Sequence, residues 1–155
     1  MKLKNIINKD LILTSVNSSN TNDILEELTV FLKDKNMITD APLILNKLIE
    51  REKLASTSIG NHTAIPHTKI KELKKPILLL AISRPGILYN ENDEEPVHLI
   101  ILILSPSSAP AMHLQILAAA ASLIKKRGNL IKDILKVNNN DELIEIIEKY
   151  EKKDD

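Results

Sequence analysis

The chain has 155 residues, most simply one domain with a core large enough to take up most of its apolar surface, and its 43% hydrophobic and 27% charged residues are an ordinary globular mixture rather than a disordered one. Lys and Arg (21) balance Asp and Glu (21), and only Phe31, Tyr89 and Tyr150 are aromatic, so the chain lacks both the basic excess of a duplex binder and the stacking platforms of a single-strand binder; no nucleic-acid partner is expected. The absence of cysteine excludes disulfides, thiolate metal sites and cysteine nucleophiles.

The first residues carry lysines but no uninterrupted apolar stretch of signal-peptide length, and runs such as 99–104 fall far short of the about 20 residues a bilayer span needs. A cytoplasmic protein with no direct membrane insertion is expected. Residues 1–18 hold short apolar bursts, Ile6-Ile7 and 11–13, that suggest strand or irregular packing. From Thr21 the pattern changes: Ile24, Leu25, Leu28, Phe31 and Leu32 recur at three- and four-residue spacings, which predicts an amphipathic helix of about three turns. Asn20 or Thr21 can cap it, and Asp23, Glu26 and Glu27 lie near the positive end of its dipole. A second helix over 41–53 follows the N-cap Asp40, with Pro42 in the first turn, where a missing N–H costs nothing. Leu43, Ile44, Leu45, Leu48 and Ile49 supply its inner face, and Arg51 and Glu52 lie near its C-terminal end.

Residues 55–69 lose this periodicity and gather Ser56, Thr57, Ser58, Gly60 and Asn61, which reads as a functional loop. Residues 77–83 (ILLLAIS) and 97–104 (VHLIILIL) predict buried strands, the second covered on both faces. A turn-rich, acidic connection through 90–95 joins them. After a loop at 105–110 a long helix is expected over 111–126, with Leu114, Leu117, Ala118, Ala121 and Ile124 inward. Further helices at 129–136 and 141–151 and a solvated tail over 151–155 complete the chain. Strands alternating with helices define an α/β class, one sheet with helices on its faces.

Three residues stand apart from packing. His67 follows Pro66, whose ring locks its own φ and drives Ile65 towards an extended conformation, so the chain enters His67 along a preset path. A neutral imidazole near pH 7 is both nucleophile and base, although a loop histidine is more often an ordinary surface residue. His113 falls in the first turn of its helix, where the dipole favours an anion; a half-buried histidine capping the sheet edge is as good a reading. Arg51 offers a planar fork for phosphate oxygens, or simply a partner for Glu50, Glu52 or its own helix end. His62 and His67 are five apart across a proline with no carboxylate between them, which is not the geometry of a helical zinc motif, so no metal site is expected. His98 opens a strand and reads as an exposed edge residue, and no glycine-rich nucleotide loop is present.

The stretch LIEREKLASTSIGNHTAIPHTKI resembles the signature of type-2 EIIA domains of the bacterial phosphotransferase system (fructose, mannitol and nitrogen-regulatory branches): an Arg-Glu pair, a Ser/Thr–Thr step, a glycine-containing approach, then Ala-Ile-Pro-His. EEPVHLIILILSPSSAPAMHLQILAAAASLI is similar to the second block of that family, a buried strand running through a loop into a helix that opens with His-Leu. The resemblance covers nearly the whole chain. It implies a single α/β domain over 1–155, a mixed β-sheet flanked by helices on both faces, and a phosphoryl carrier that uses no cofactor. His67 matches the phosphorylated histidine, His113 the second active-site histidine and Arg51 the arginine near the site. The implied partners are HPr or an HPr-like carrier as donor and an EIIB domain as acceptor, and through EIIB the EIIC membrane permease.

The bottom-up chemistry agrees with that role, since a reactive histidine–phosphate bond calls for orientation and anion stabilisation rather than a metal. Ile59, Ala64 and Ile65 are candidates for an apolar docking rim. The resemblance leaves two branches, a sugar-transport EIIA of the fructose/mannitol type or a nitrogen-type regulator whose phosphorylation state controls protein partners. A degenerate binding module is a third reading. It rests on one departure: family members usually carry Gly-Ile before Ala-Ile-Pro-His, and here that pair is His62-Thr63, a histidine where glycine permits a special backbone conformation.

Overall fold

The computed structural model describes residues 1–125 and 129–152. Two long strands form the centre of the molecule: β5 (Ile77–Ile87) and β6 (Val97–Pro106) pair antiparallel, with Leu80 opposite Ile101. Because side chains alternate along a strand, this near-continuous apolar pair feeds two cores at once. Leu78, Leu80, Leu99, Ile101 and Ile103 face one side, and Leu79, Ala81, Ile100, Leu102 and Leu104 the other.

The first side is covered by α3 (Pro110–Lys125), α4 (Leu130–Ile134) and α5 (Asn140–Lys152), the second by α1 (Thr21–Asp34) and α2 (Ala41–Leu54). The expected α/β architecture with helices on both faces is therefore the one observed. Asn20 and Asp40 cap α1 and α2, accepting from the N–H groups of Asp23 and Leu43 at 2.9 and 3.1 Å. Such caps contribute about 1 kcal/mol each.

The sheet is mixed and six-stranded: β1 (Ile12–Leu13), β5, β6, β3 (Thr63–Ala64) and β2 (Ser58–Gly60) in order, with β4 (His67–Ile70) also on β6 and β1 parallel to β5. The segment that reads as a loop joins this sheet instead. It contributes β2, β3 and β4. β3 and β4 both run parallel to β6, as one strand interrupted at Pro66. These pieces are too short to show a period, and their pairing partner lies more than thirty residues away, so tertiary contacts override local pattern.

Four other expectations shift. Leu43, expected on the inner face of α2, is 41% exposed, and the buried stripe of that helix is Ala41, Ile44 and Leu48. β5 continues past residue 83 through an irregularity that ends at Ile87. The buried stripe of α3 is His113, Ile116, Ala119, Ala120, Leu123 and Ile124, while Leu114 is 66% exposed. That helix is apolar on nearly every face, so periodicity alone did not fix its rotation; the anchoring of His113 does. Finally, Glu151 is no part of a solvated tail: it is buried in α5, and its carboxylate accepts the N–H groups of Leu3 and Lys4 at 2.6 and 2.9 Å. Residues 126–128 and 153–155, within the expected long helix and tail, lie outside the described residues.

Candidate functional site

β2 and β3 form a hairpin whose two-residue loop is Asn61-His62, with Gly60 opposite Thr63. Both loop residues have positive φ, 52° and 58°, as a type I′ turn requires. This is the backbone conformation for which glycine is favoured, so the departure at position 62 carries a real conformational cost. The His62 side chain answers it. Its Nδ1–H donates to the Pro96 carbonyl at 2.8 Å, and Nε2 lies 3.0 Å from Glu95 Oε2. The ring also lies 5.5 Å from that of His98, so it is engaged with the β5–β6 connection rather than with His67. His98 is half-buried, not an exposed edge residue, and its Nδ1–H donates to the Ser83 carbonyl at 2.8 Å.

From this hairpin the chain passes through Ala64, Ile65 and Pro66, all buried, to His67, the first residue of β4. The Pro66 carbonyl accepts from Ile103 N–H at 3.0 Å, which seats the proline on β6. His67 is in register with Ile103, and Lys69 with Ser105. His67 and Lys69 therefore share the face of the sheet covered by α3. Ser105 Oγ is 2.8 Å from Nδ1 of His113, which is buried one turn into that helix. The rings of His67 and His113 consequently lie 5.5 Å apart, centroid to centroid, inclined at 51°.

The atoms of His67 have distinct roles. Its Nδ1 lies 2.7 Å from the Ile65 carbonyl oxygen. A carbonyl only accepts, so Nδ1 carries the proton and the lone pair of the neutral ring is on Nε2. Burial lowers the pKa of His67 below its ordinary value; the Ile65 hydrogen bond opposes this, the charge of Arg51 adds to it, and that of Glu52 opposes it. His113 is lowered too, by burial first, then by the charge that His67 carries when it is protonated, and by that of Lys69. Both imidazoles are thus held neutral at pH 7.

Arg51, on the last turn of α2, acts electrostatically on His67 while one guanidinium nitrogen donates to the Ala55 carbonyl at 2.9 Å. The reading in which this arginine binds its own helix end is the one the hydrogen bond supports, and its charge also reaches His67. The structure places His67, His113 and Arg51 in one neighbourhood, contributed by β4, α3 and α2.

Four further participants had no individual role in the sequence reading: Glu52 and Thr57, which stand in the quoted signature, and Tyr89 and Ser105, which lie outside the stretch that ends at Ile70. Glu52 accepts the Thr57 N–H at 3.0 Å, the Thr57 hydroxyl, and the Tyr89 O–H at 2.7 Å. Tyr89 was the available signal, one of three aromatic residues in the chain and buried beside the site. The docking candidates also need revision. Ile59 is exposed, but Ala64 and Ile65 are core residues, and Leu54 and Leu114 are further large apolar side chains that are exposed.

Among the described residues no group of three or more histidine or carboxylate side chains is placed to hold a metal, and no helix is long and apolar enough to cross a membrane. Residues 5–150 match the family described as "Phosphoenolpyruvate-dependent sugar phosphotransferase system, EIIA 2". The chain is 28% identical over 152 residues to the fructose-specific EIIABC component of Bacillus subtilis, covering 98% of this chain but only 24% of that longer protein. It is 34% identical over 127 residues to the fructose-specific EIIA component of Haloferax volcanii, covering 80% of this chain and 82% of that one. A nitrogen regulatory protein of Bradyrhizobium diazoefficiens is 32% identical over 126 residues, 81% of each chain.

Solved structures share the fold, and two of them illustrate it. Nitrogen regulatory protein IIA-Ntr from Neisseria meningitidis superposes with a TM-score of 0.84 at 23% identity, covering 94% of this chain and 98% of that one. The complex of mannitol enzyme IIA with phosphorylated mannitol enzyme IIB from Escherichia coli gives a TM-score of 0.75 at 17% identity, covering 92% of this chain and 97% of the matched one.

Proposed function

The chain belongs to the EIIA 2 family of the phosphoenolpyruvate-dependent sugar phosphotransferase system, and from that premise we propose that it is a phosphoryl carrier using His67 Nε2 as acceptor. The observation that carries this reading is the 2.7 Å bond from His67 Nδ1–H to the Ile65 carbonyl, which leaves Nε2 as the nucleophilic atom next to His113.

The donor is the phosphohistidine of HPr or an HPr-like protein. The Nε2 lone pair forms the new N–P bond while the donor's N–P bond breaks, its electron pair staying on the donor ring. No proton has to move. Nδ1–H remains on Ile65 and stabilises the ring, now cationic, against a phosphoryl group that carries the negative charge. The Arg51 cation offsets the charge on the equatorial oxygens of the transferring group and His113 adds a polar partner whose protonation that charge favours, the electrostatic work on which phosphoryl transfer chiefly depends. Transfer onward to an EIIB thiolate reverses the step: sulfur takes phosphorus, and the N–P electron pair returns to Nε2. The exposed side chains of Leu54, Ile59 and Leu114 are candidates for contact with partners that dock briefly and leave.

Incubation with phosphoenolpyruvate, enzyme I and HPr is expected to place one acid-labile phosphate on His67. An unlabelled wild type, or undiminished label in His67→Ala, would overturn the assignment. Supply of phosphate to a fructose/mannitol-type EIIB during sugar uptake is the leading physiological role, supported by the likeness to fructose-specific components. The likeness to a nitrogen regulatory protein supports the second reading, in which the phosphorylation state controls protein partners. Transfer of label from the phosphorylated chain to an EIIB cysteine selects the first; its failure with every sugar-branch EIIB selects the second.

A further inference from the structure

His67 is held by a chain of bonds that starts two elements away. Both oxygens of the half-buried Glu52 carboxylate are occupied: Oε2 by the Thr57 N–H, and Oε1 by the hydroxyls of Thr57 and Tyr89. Tyr89 is buried, and burial together with the charge of Glu52 drives its pKa up, so it stays an O–H donor. Its oxygen lies 3.1 Å from Thr57 Oγ1, which locks the trio. Thr57, itself 4% exposed, then accepts the Ile65 N–H on its carbonyl at 2.9 Å, and the Ile65 carbonyl accepts His67 Nδ1–H at 2.7 Å. Glu52 thereby fixes both polar groups of Thr57 that lie upstream of Ile65, and Ile65 fixes the ring.

We propose that Glu52 is a positioning residue for the phosphoryl acceptor, acting through Thr57 and the Ile65 carbonyl to hold His67 as a single Nδ1–H tautomer with Nε2 free. The proposal rests on the acceptor reading of His67. Two effects are separable in it. The hydrogen bonds set the orientation and tautomer, and the carboxylate charge offsets the Arg51 guanidinium, favouring the cationic ring that phosphorylation creates. The charged and titratable groups whose influence reaches this pair of rings are Arg51 and Glu52 on α2, His113 on α3, and Lys69 two residues along β4 from His67.

The bland alternative is that Glu52 merely ties the end of α2 to the sheet. Long-range proton–nitrogen correlation spectra of the labelled full chain, recorded above about pH 8 where free imidazoles are neutral, read the His67 tautomer directly. The rate of phosphorylation by phospho-HPr, measured across pH, reads the charge. Wild type is expected to show one tautomer. Glu52→Ala is expected to show a mixture and to slow phosphorylation about tenfold or more.

Glu52→Gln keeps an acceptor for Thr57 N–H but loses the charge. It is expected to keep the single tautomer and to move the acid limb of the rate profile to lower pH, because Glu52 favours the protonated ring. A loop merely loosened would admit water to His67 and move that limb up, towards the ordinary imidazole range. A single tautomer in Glu52→Ala, or an acid limb in Glu52→Gln that stays or rises, overturns the proposal. Should Glu52→Ala not fold, Thr57→Val removes only the hydroxyl contact, and tautomer mixing supports the proposal while an unchanged tautomer overturns it. The tautomer is read without any donor, so a wild type that accepts no phosphate sinks the acceptor reading alone.

Discussion

Nε2 of His62 lies 3.0 Å from Oε2 of Glu95, and its Nδ1–H is bound to the neighbouring Pro96 carbonyl. Position 62 is where the resemblance to the family leads to an expectation of glycine, and the backbone there has φ 58°. Histidine is therefore kept in a left-handed conformation by fastening its ring to the acidic connection between β5 and β6. Glycine at 62 would lose the fastening but also the backbone cost; alanine would lose the fastening and keep the cost. His62→Ala is expected to be less stable than His62→Gly by about 1 kcal/mol in chemical denaturation. Equal stabilities, or the reverse order, would show that position 62 carries no left-handed backbone cost for the ring bonds to offset.

Acid sensitivity follows from the two site histidines. Burial holds both folded-state pKa values below about 6.5, the value of a free imidazole. As pH falls below 6.5 the unfolded chain takes up protons that the fold refuses, so unfolding binds protons and stability declines. The decline begins at the unfolded value and levels off only below the folded-state values; above that window the two residues add no pH dependence. The double variant His67→Ala/His113→Ala is expected to have a flatter stability profile between pH 6.5 and 5 than wild type, measured as denaturation midpoints across pH. A profile as steep as wild type would assign the acid sensitivity elsewhere.

How far the sequence carried this reading depends on the range of the interaction that sets each feature. Helices α1 and α2 were legible because their caps, Asn20 and Asp40, and their apolar spacing are local. β5 and β6 were legible because burial on both faces leaves an unbroken apolar run. β2, β3 and β4 were not, since each is only a few residues long and exists through pairing to a hairpin partner or to β6. The same distinction applies at the site. His67, His113 and Arg51 were found through a resemblance of motifs. Ser105 and Tyr89 become participants only once β6 meets α3 and the end of β5 meets α2, and nothing in their local sequence says so.

Glu151 ties the two ends of the described chain together. Its buried carboxylate faces the N–H groups of Leu3 and Lys4, and its own carbonyl accepts from Lys2 Nζ at 3.1 Å. Removing the carboxylate leaves two backbone donors without a partner, and charge-assisted bonds of this kind contribute about 1.5–3 kcal/mol. Glu151→Ala is expected to destabilise the fold by about that amount. Glu151→Gln is expected to do nearly as badly, because its amide presents N–H to one of two N–H groups. Urea denaturation of both variants checks the point, and a Gln variant as stable as wild type would mean that water replaces the lost acceptor.

Phosphorylation of His67 is expected to change the protonation of His113. In the unmodified site the His113 pKa is lowered, by burial first, so the ring is neutral at pH 7. A phosphoryl group on His67, whose ring lies 5.5 Å from that of His113, places negative charge beside it and favours the imidazolium. The linkage is reciprocal: whatever the phosphate does for the His113 proton, that proton does for the phosphate. The His113 pKa, followed by NMR titration of the ring protons, should therefore rise on phosphorylation. Phosphorylated wild type should also hold its phosphate longer than phosphorylated His113→Ala below that raised pKa, and the two lifetimes should converge above it. An unmoved His113 titration in the phosphorylated protein would remove this residue from the phosphate-binding role and leave Arg51 as the principal cation.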